Sequence, residues 1–273
     1  MIRRLASRPL FLFPAIGAVA LCACQQAGNE SGNGANASSP VAQTQEDLVS
    51  SEYAVVRGML DLAAVTADDL VADLGSGDGR IPILAAREKG ARGLGIEIDR
   101  ARIRQSNANA TAAGVADRVT FRQQDLFVTP LNDVTVLTLY LLPEINLQLR
   151  PKILAQMRPG ARVVSNTFDM GDWRPDQRRT IGGTNIFMWF VPAKVEGRWR
   201  ITQGAASGEL VLAQSYQDLS GTAGGGRIAE AQLRGDRIAF TADLGGGRRR
   251  YEGRVAGDRM SGDGWQAVRV SGS

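Results

Sequence analysis

"VADLGSGDGR", residues 71–80, decides how this chain is read. A short apolar run meets an acid, Asp73. Gly75, Gly77 and Gly79 then follow within five positions, with Ser76 and a second acid, Asp78, among them. Glycines at the end of a strand let the backbone approach a ligand closely, and a helix start after them favours an anion. Phosphate is the usual anion in such a loop. Asp78 argues against it, because the two negative charges of a pyrophosphate would be repelled in a partly dry site.

The flanking sequence alternates strand and helix. Apolar residues at helical spacing predict a helix over 53–65, and 69–75 reads as a short buried strand ending at glycine. The pattern continues with a helix at 81–90, a strand at 91–99, a helix at 100–114 and a strand at 118–125. A β-branched apolar run at 134–142 reads as a central strand, followed by a helix at 146–157 that Pro151 interrupts. Strands at 161–168, near 175–182 and at 184–192 complete the series. The expected fold is α/β, a mostly parallel Rossmann-like sheet flanked by helices, with ligands outside the carboxyl ends of its strands.

Three acids fall at three successive strand ends: Asp73, Glu97 in "GLGIEID" and Asp125 in "VTFRQQD". Glu97 lies about 20 residues past the loop, the offset of an acid that accepts both ribose hydroxyls. Asp125 can accept from an adenine amine. S-adenosylmethionine satisfies the whole set, since it has no phosphate, one carboxylate for the loop amides, and an ammonium and a sulfonium that acids tolerate. A dinucleotide dehydrogenase shares the loop but not the tolerance for Asp78.

"VADLGSGDGR", "GLGIEID" and "VTFRQQDLF", in this order, resemble the class I S-adenosylmethionine-dependent methyltransferases over residues 53–193. "DLGSGDGRI" with "YLLPEINLQLRP" is most similar to small bacterial members akin to the compact protein-lysine methyltransferases. The resemblance implies that Asp73, Gly75, Ser76, Gly77, Asp78 and Gly79 line the methionine end. It implies that Glu97 takes the ribose, and that Asp125 and Leu126 meet the adenine. Two departures stand out. Leu48-Val49-Ser50-Ser51 replaces a Tyr-x-Pro-Thr-like element, leaving Ser51 as a hydroxyl there. Leu142-Pro143-Glu144 stands where an Asn/Asp-Pro-Pro-Tyr/Phe element would mark base or glutamine amines as acceptors.

The chain has no histidine, which removes Ser-His-Asp, Cys-His and His-ligated metal chemistry, and no metal site is expected. Methyl transfer asks mainly for proximity, alignment and a dry site. A base is needed only for an acceptor that arrives protonated. Tyr140, which closes the fourth strand, is the candidate catalytic residue, followed by Glu144, Asn146, Ser165, Asn166 and Asp169.

Residues 1–24 have a basic start, an apolar run of about a dozen residues and then small residues, the layout of a secretory signal. Leu21-Cys22-Ala23-Cys24 resembles a bacterial lipobox, with Cys24 the lipidated residue. Residues 25–50 are rich in Gly, Asn, Ser, Ala and Gln and read as a flexible tether. Export to the periplasm is expected, with a lipid anchor in the membrane. Gln25 favours the outer membrane. Arg3, Arg4 and Arg8 supply three of the four excess positive charges, so the net charge of +4 gives no support for nucleic-acid binding.

From 194 to 273 short alternating runs are separated by glycine-rich turns, which predicts a small antiparallel meander or barrel of about six strands. "LRGDRIAF" (233–240) and "VAGDRMSG" (255–262) each carry a Gly-Asp hairpin signal, and Arg248-Arg249-Arg250 reads as a solvated edge.

The sequence thus points to a monomeric methyltransferase acting on a protein lysine or a small molecule. The alternative is an envelope lipoprotein that binds through the nucleoside-type pocket or the β-module without turnover. Export favours the alternative, because S-adenosylmethionine should be scarce outside the cytoplasm. The intact loop and strand-end acids favour the enzyme.

Overall fold

The computed structural model describes the backbone of residues 45–270 and, from Glu52 on, their side chains. The signal, Cys24 and residues 25–44 of the expected tether lie outside the described residues.

The first part of the chain runs α1 (Gln45–Leu62), β1 (Leu70–Leu74), α2 (Arg80–Lys89), β2 (Arg92–Glu97), α3 (Arg100–Ala112) and β3 (Val119–Gln123). It continues with β4 (Val136–Leu139), α4 (Pro143–Gln156), β5 (Arg162–Asn166), β6 (Gln177–Ile181) and β7 (Thr184–Phe190). These strands form one sheet in the order β3-β2-β1-β4-β5-β7-β6. Strands β1 to β5 are parallel, and β7 runs antiparallel between β5 and β6. The strand order reverses between β1 and β4, the point where α/β sheets open a ligand crevice.

Alternation along each strand divides the core. Val71, Val136, Val164 and Met188 pack with Val56, Met59 and Leu60 of α1 and Leu84 of α2. Ala72, Leu137, Val163 and Trp189 face the other way, onto Leu149 and Ile153 of α4. α1 lies close on β6 because residue 58 is glycine. A Cβ there would stand 1.9 Å from Ile181 Cδ1.

Two helices differ from expectation. α1 starts at Gln45, so the last six residues of the expected tether are helical. No glycine or proline occurs between Pro40 and Gly58, and Glu46 and Asp47 suit a helix N-terminus. α4 starts at Pro143, and Pro151 does not interrupt it. Pro143 occupies a first-turn position that needs no donor. The carbonyl that Pro151 leaves without its usual donor belongs to Leu147, on the exposed face.

Beyond β7 the chain changes grammar. β8 (Gly197–Gln203), β9 (Ala206–Ser215), β10 (Asp218–Ala223), β11 (Gly226–Arg227) and β12 (Ala229–Arg234) are followed by β13 (Arg237–Asp243), β14 (Arg248–Ala256), β15 (Arg259–Gly262) and β16 (Trp265–Arg269). They form a second, antiparallel sheet of nine strands, not six, ordered β11-β10-β9-β8-β16-β15-β14-β13-β12. β10 comes back beside β12, so the sheet is nearly closed around Trp199, Phe240, Tyr251 and Trp265. The two Gly-Asp signals do form the β12–β13 and β14–β15 turns. Arg248–Arg250 are exposed, but only one side of that stretch is an open edge. β13 pairs with the other, and β15 joins β14 only from Gly253 on.

Candidate active site

The parallel register carries Asp73, Glu97, Asp125 and Tyr140 to one rim, as the strand-end reading requires. The loop after β1 turns through glycines with φ of 78° at Gly75, 54° at Gly77 and 80° at Gly79. Gly79 has a second reason to be glycine, since a Cβ there would lie 2.5 Å from Phe121 Cζ.

Asp73 is buried, and its Oδ1 accepts from Thr138 Oγ1 at 2.7 Å. Burial pushes its carboxyl up to about 7, with the charges of Asp78 and Glu97 adding to the effect while the Thr138 bond opposes it. Thr138 is a site residue that the strand-end acids do not announce. Its signal is a hydroxyl inside the otherwise apolar run "VLTL".

Asp78 is not a bare charge in the loop. Arg80 holds it with Nε at 3.0 and 3.1 Å from the two carboxylate oxygens and Nη2 at 2.8 Å from Oδ2. Although burial acts in the opposite direction, this guanidinium keeps the Asp78 carboxyl below the ordinary range. Arg80 also pairs with Glu52, and its Cζ lies 5.9 Å from the Tyr53 ring centroid, so α1 covers this side of the loop. The repulsion argued from Asp78 alone is therefore largely neutralised by Arg80, whose place two residues later was the unread signal. Ser51 lies in α1, and its side chain is outside the described residues.

Glu97 bridges the loop and the end of β2. Its Oε2 accepts from Gly77 N at 3.0 Å, and its Oε1 accepts from Ile98 N and Asp99 N at 2.8 and 3.0 Å. A ribose diol bound here would share or replace the Gly77 bond. Asp125 is exposed, and its Oδ1 accepts from Phe127 N at 2.8 Å, while Oδ2 has no hydrogen bond among the described residues. Leu126 is half-buried against the core. Ser76 is buried, and its Oγ has no partner among the described residues. A buried hydroxyl with no partner among the described residues, an exposed Asp125 carboxylate and left-handed glycines suit a nucleoside with a carboxylate.

Tyr140 stands just past β4 and is 61% exposed, with Leu142 63% exposed beside it. Tyr140 has no hydrogen-bond partner among the described residues. The connection to the cofactor loop is short, since Leu141 Cδ2 lies 2.9 Å from where a Cβ on Gly75 would stand. Glu144 and Asn146 follow in the first turn of α4. Asn146 is fully buried and donates to Ser165 Oγ at 3.1 Å, so it ties α4 to the end of β5.

A family model described as the ANTKMT methyltransferase domain matches residues 73–177. A protein-lysine N-methyltransferase of Saccharolobus islandicus is 41% identical over 124 residues, covering 45% of this chain and 77% of that protein. The adenine nucleotide translocase lysine N-methyltransferase of Mus musculus is 36% identical over 104 residues, 38% of this chain and 45% of its own length. The chain thus spans less than half of the mouse relative. Among solved structures, an RNA methyltransferase from Salinibacter ruber in complex with S-adenosyl-L-homocysteine superposes with a TM-score of 0.51. It is 51% identical, covering 52% of this chain and 92% of that one. With its glycine loop and strand-end acids gathered on one rim, this chain belongs to the class I S-adenosylmethionine-dependent methyltransferases.

Proposed function

We propose that the chain transfers a methyl group to the side-chain amine of a lysine in a protein. The observation that carries this reading is the open rim beside the cofactor loop, where Tyr140 and Leu142 are each more than half exposed. Such a rim suits an acceptor presented by a macromolecule better than a small molecule that must be enclosed. The lysine specificity of the Saccharolobus and mouse relatives supports the same acceptor. No observation favours binding without turnover.

S-adenosylmethionine, when bound, supplies a methyl carbon already activated by its sulfonium. We assign the loop from Gly75 to Gly79, with Asp73 and Asp78, to its methionine end. Ser76 Oγ, without a partner, faces the same task. Glu97 is assigned to the ribose, and Asp125 with Leu126 to the adenine. The Tyr140 hydroxyl would accept a hydrogen bond from the acceptor amine and turn its lone pair toward the bound methyl carbon, so that the N–C bond would form as the C–S bond breaks and the thioether S-adenosyl-L-homocysteine leaves. The lysine proton leaves to solvent at this exposed edge, so no histidine is required.

From the segment 1–24 we further propose export and lipidation at Cys24, which would hold the rim near a membrane. The support is the sequence pattern alone. Metabolic palmitate labelling that survives Cys24→Ser overturns it.

The test of the acceptor is incubation of the purified chain with methyl-labelled S-adenosylmethionine and cell-envelope extract. Label recovered as methyl-lysine in a protein is expected. Label recovered in RNA or in small molecules instead overturns the lysine reading and leaves the methyltransferase in place.

A further inference from the structure

The family match ends at residue 177, so the nearly closed β-sheet lies outside it. We propose that the turn between β9 and β10 positions the loop at residues 167–174, which walls the acceptor side of the rim, and that Tyr216 is the principal positioning residue. The proposal rests on the acceptor reaching the rim beside Tyr140.

The loop leaves the rim at the end of β5, the strand next to β4. It begins under strain. Thr167, a β-branched residue, has a φ of 69°. Such a conformation persists only when the surroundings over-determine it.

The surroundings do so from two sides. On the α4 side, the Asn146 amide nitrogen lies 3.4 and 3.5 Å from the carbonyl oxygens of Phe168 and Asp169. Arg150 Nη1 donates to the Met170 carbonyl at 2.6 Å and pairs with Asp172. On the β-sheet side, the Tyr216 ring stacks on Trp173 with centroids 6.0 Å apart and planes at 17°. Its hydroxyl donates to Asp172 Oδ2 at 3.2 Å, and Arg150 Cζ lies 5.5 Å from its ring centroid. Gln217 Nε2 donates to the Arg174 carbonyl at 2.5 Å, and Arg174 pairs with Asp218 at 2.9 Å.

A hairpin turn that served only its own sheet would use small polar residues facing water. This turn instead holds Tyr216 at a φ of 53° and buries Gln217 against the other sheet's loop. The contacts also reach the cofactor side. Asn146 stands in the first turn of α4, entered through Leu141, which touches the space over Gly75. The second sheet thereby holds the loop that follows β5, the strand beside the one that Tyr140 closes, with no hydrogen bond to Asp73, Glu97 or Asp125 among the described residues.

The test is hydrogen exchange on the full chain with Tyr216→Ala, Tyr216→Phe and Asp218→Ala, beside the affinity for S-adenosyl-L-homocysteine. Tyr216→Ala is expected to speed exchange at 167–174 about tenfold, while exchange in the second sheet and the S-adenosyl-L-homocysteine affinity stay within about twofold. Tyr216→Phe keeps the stack and is expected to restore slow exchange, and Asp218→Ala to produce a smaller rise. With a methylated protein in hand, Tyr216→Ala is expected to raise KM for that acceptor without changing KM for S-adenosylmethionine. Unchanged exchange at 167–174 in Tyr216→Ala overturns the proposal. So does a rise spread over the whole second sheet with no effect of Asp218→Ala on the loop. Failure to find any methylated lysine would overturn the proposed acceptor, and the exchange result would still decide the role of Tyr216.

Discussion

The Thr138 hydroxyl meets Asp73 Oδ1 at 2.7 Å across the β1–β4 pair, where the strand order reverses. One buried hydrogen bond thus marks the floor of the cofactor crevice. It also holds a carboxyl that burial and two neighbouring acids push toward its neutral form.

That shift makes stability depend on pH in a defined direction. The folded chain holds the Asp73 proton more tightly than the unfolded chain, whose carboxyl titrates near 3.8. The contribution is full below that value, falls as pH rises, and is gone above about 7. Asp73→Asn removes the dependence. Between about pH 5 and about pH 8 the stability of the wild type is expected to fall relative to that variant by on the order of 2 kcal/mol. Denaturant midpoints at the two pH values measure it, and equal differences at both would refute it.

Glu97→Ala is expected to abolish the thermal shift given by S-adenosyl-L-homocysteine. A ligand at 100 times its dissociation constant stabilises by about 2.7 kcal/mol. The variant also leaves the Gly77, Ile98 and Asp99 N–H groups without the carboxylate that accepts from them, so its own melting temperature should drop. Glu97→Gln keeps one acceptor oxygen and should retain part of that stability. A full ligand shift in Glu97→Ala would move the ribose site elsewhere.

Arg80→Ala leaves Asp78 half-buried without its guanidinium. Both side chains keep roughly a third of their surface exposed, so the expected cost is modest, about 1 kcal/mol. Asp78→Asn in the same chain should recover part of it. A double-mutant cycle showing no coupling would mean that solvent already screens the pair.

Gly79→Ala combines a φ of 80° with a Cβ 2.5 Å from the Phe121 ring. The expected destabilisation is at least about 2 kcal/mol, from backbone strain and overpacking together. Thermal melts read it directly, and a loss under about 0.5 kcal/mol would show that the loop can shift away from Phe121.

Much of this was legible in the chain. Period-two and period-3.6 patterns located β1 to β7 and α2 to α4 to within a few residues, because the central strands present one face to α1 and α2 and the other to α4, while β3 packs Val119 and Phe121 on α2 and α3. Asp73, Glu97 and Asp125 were placed at strand ends, and parallel pairing then had to bring them to one rim. The apolar spacing places the start of α1 at 53, eight residues late, because residues 45–52 are mostly polar. The strand count beyond β7 was low because strands as short as Gly226–Arg227 carry no periodic signal.

By itself, the sequence determined the α/β class, the glycine loop, the strand-end acids and the change of grammar after residue 193. These depend on spacing along the chain, which tertiary folding preserves. Only the tertiary structure decided the partners. Thr138 reaches Asp73 from a strand 65 residues away, and Tyr216 reaches Asp172 from the second sheet at a separation of 44 residues. Hydrogen bonds and ring stacking act over a few ångströms in space. No local pattern announces which distant side chain will fill that distance.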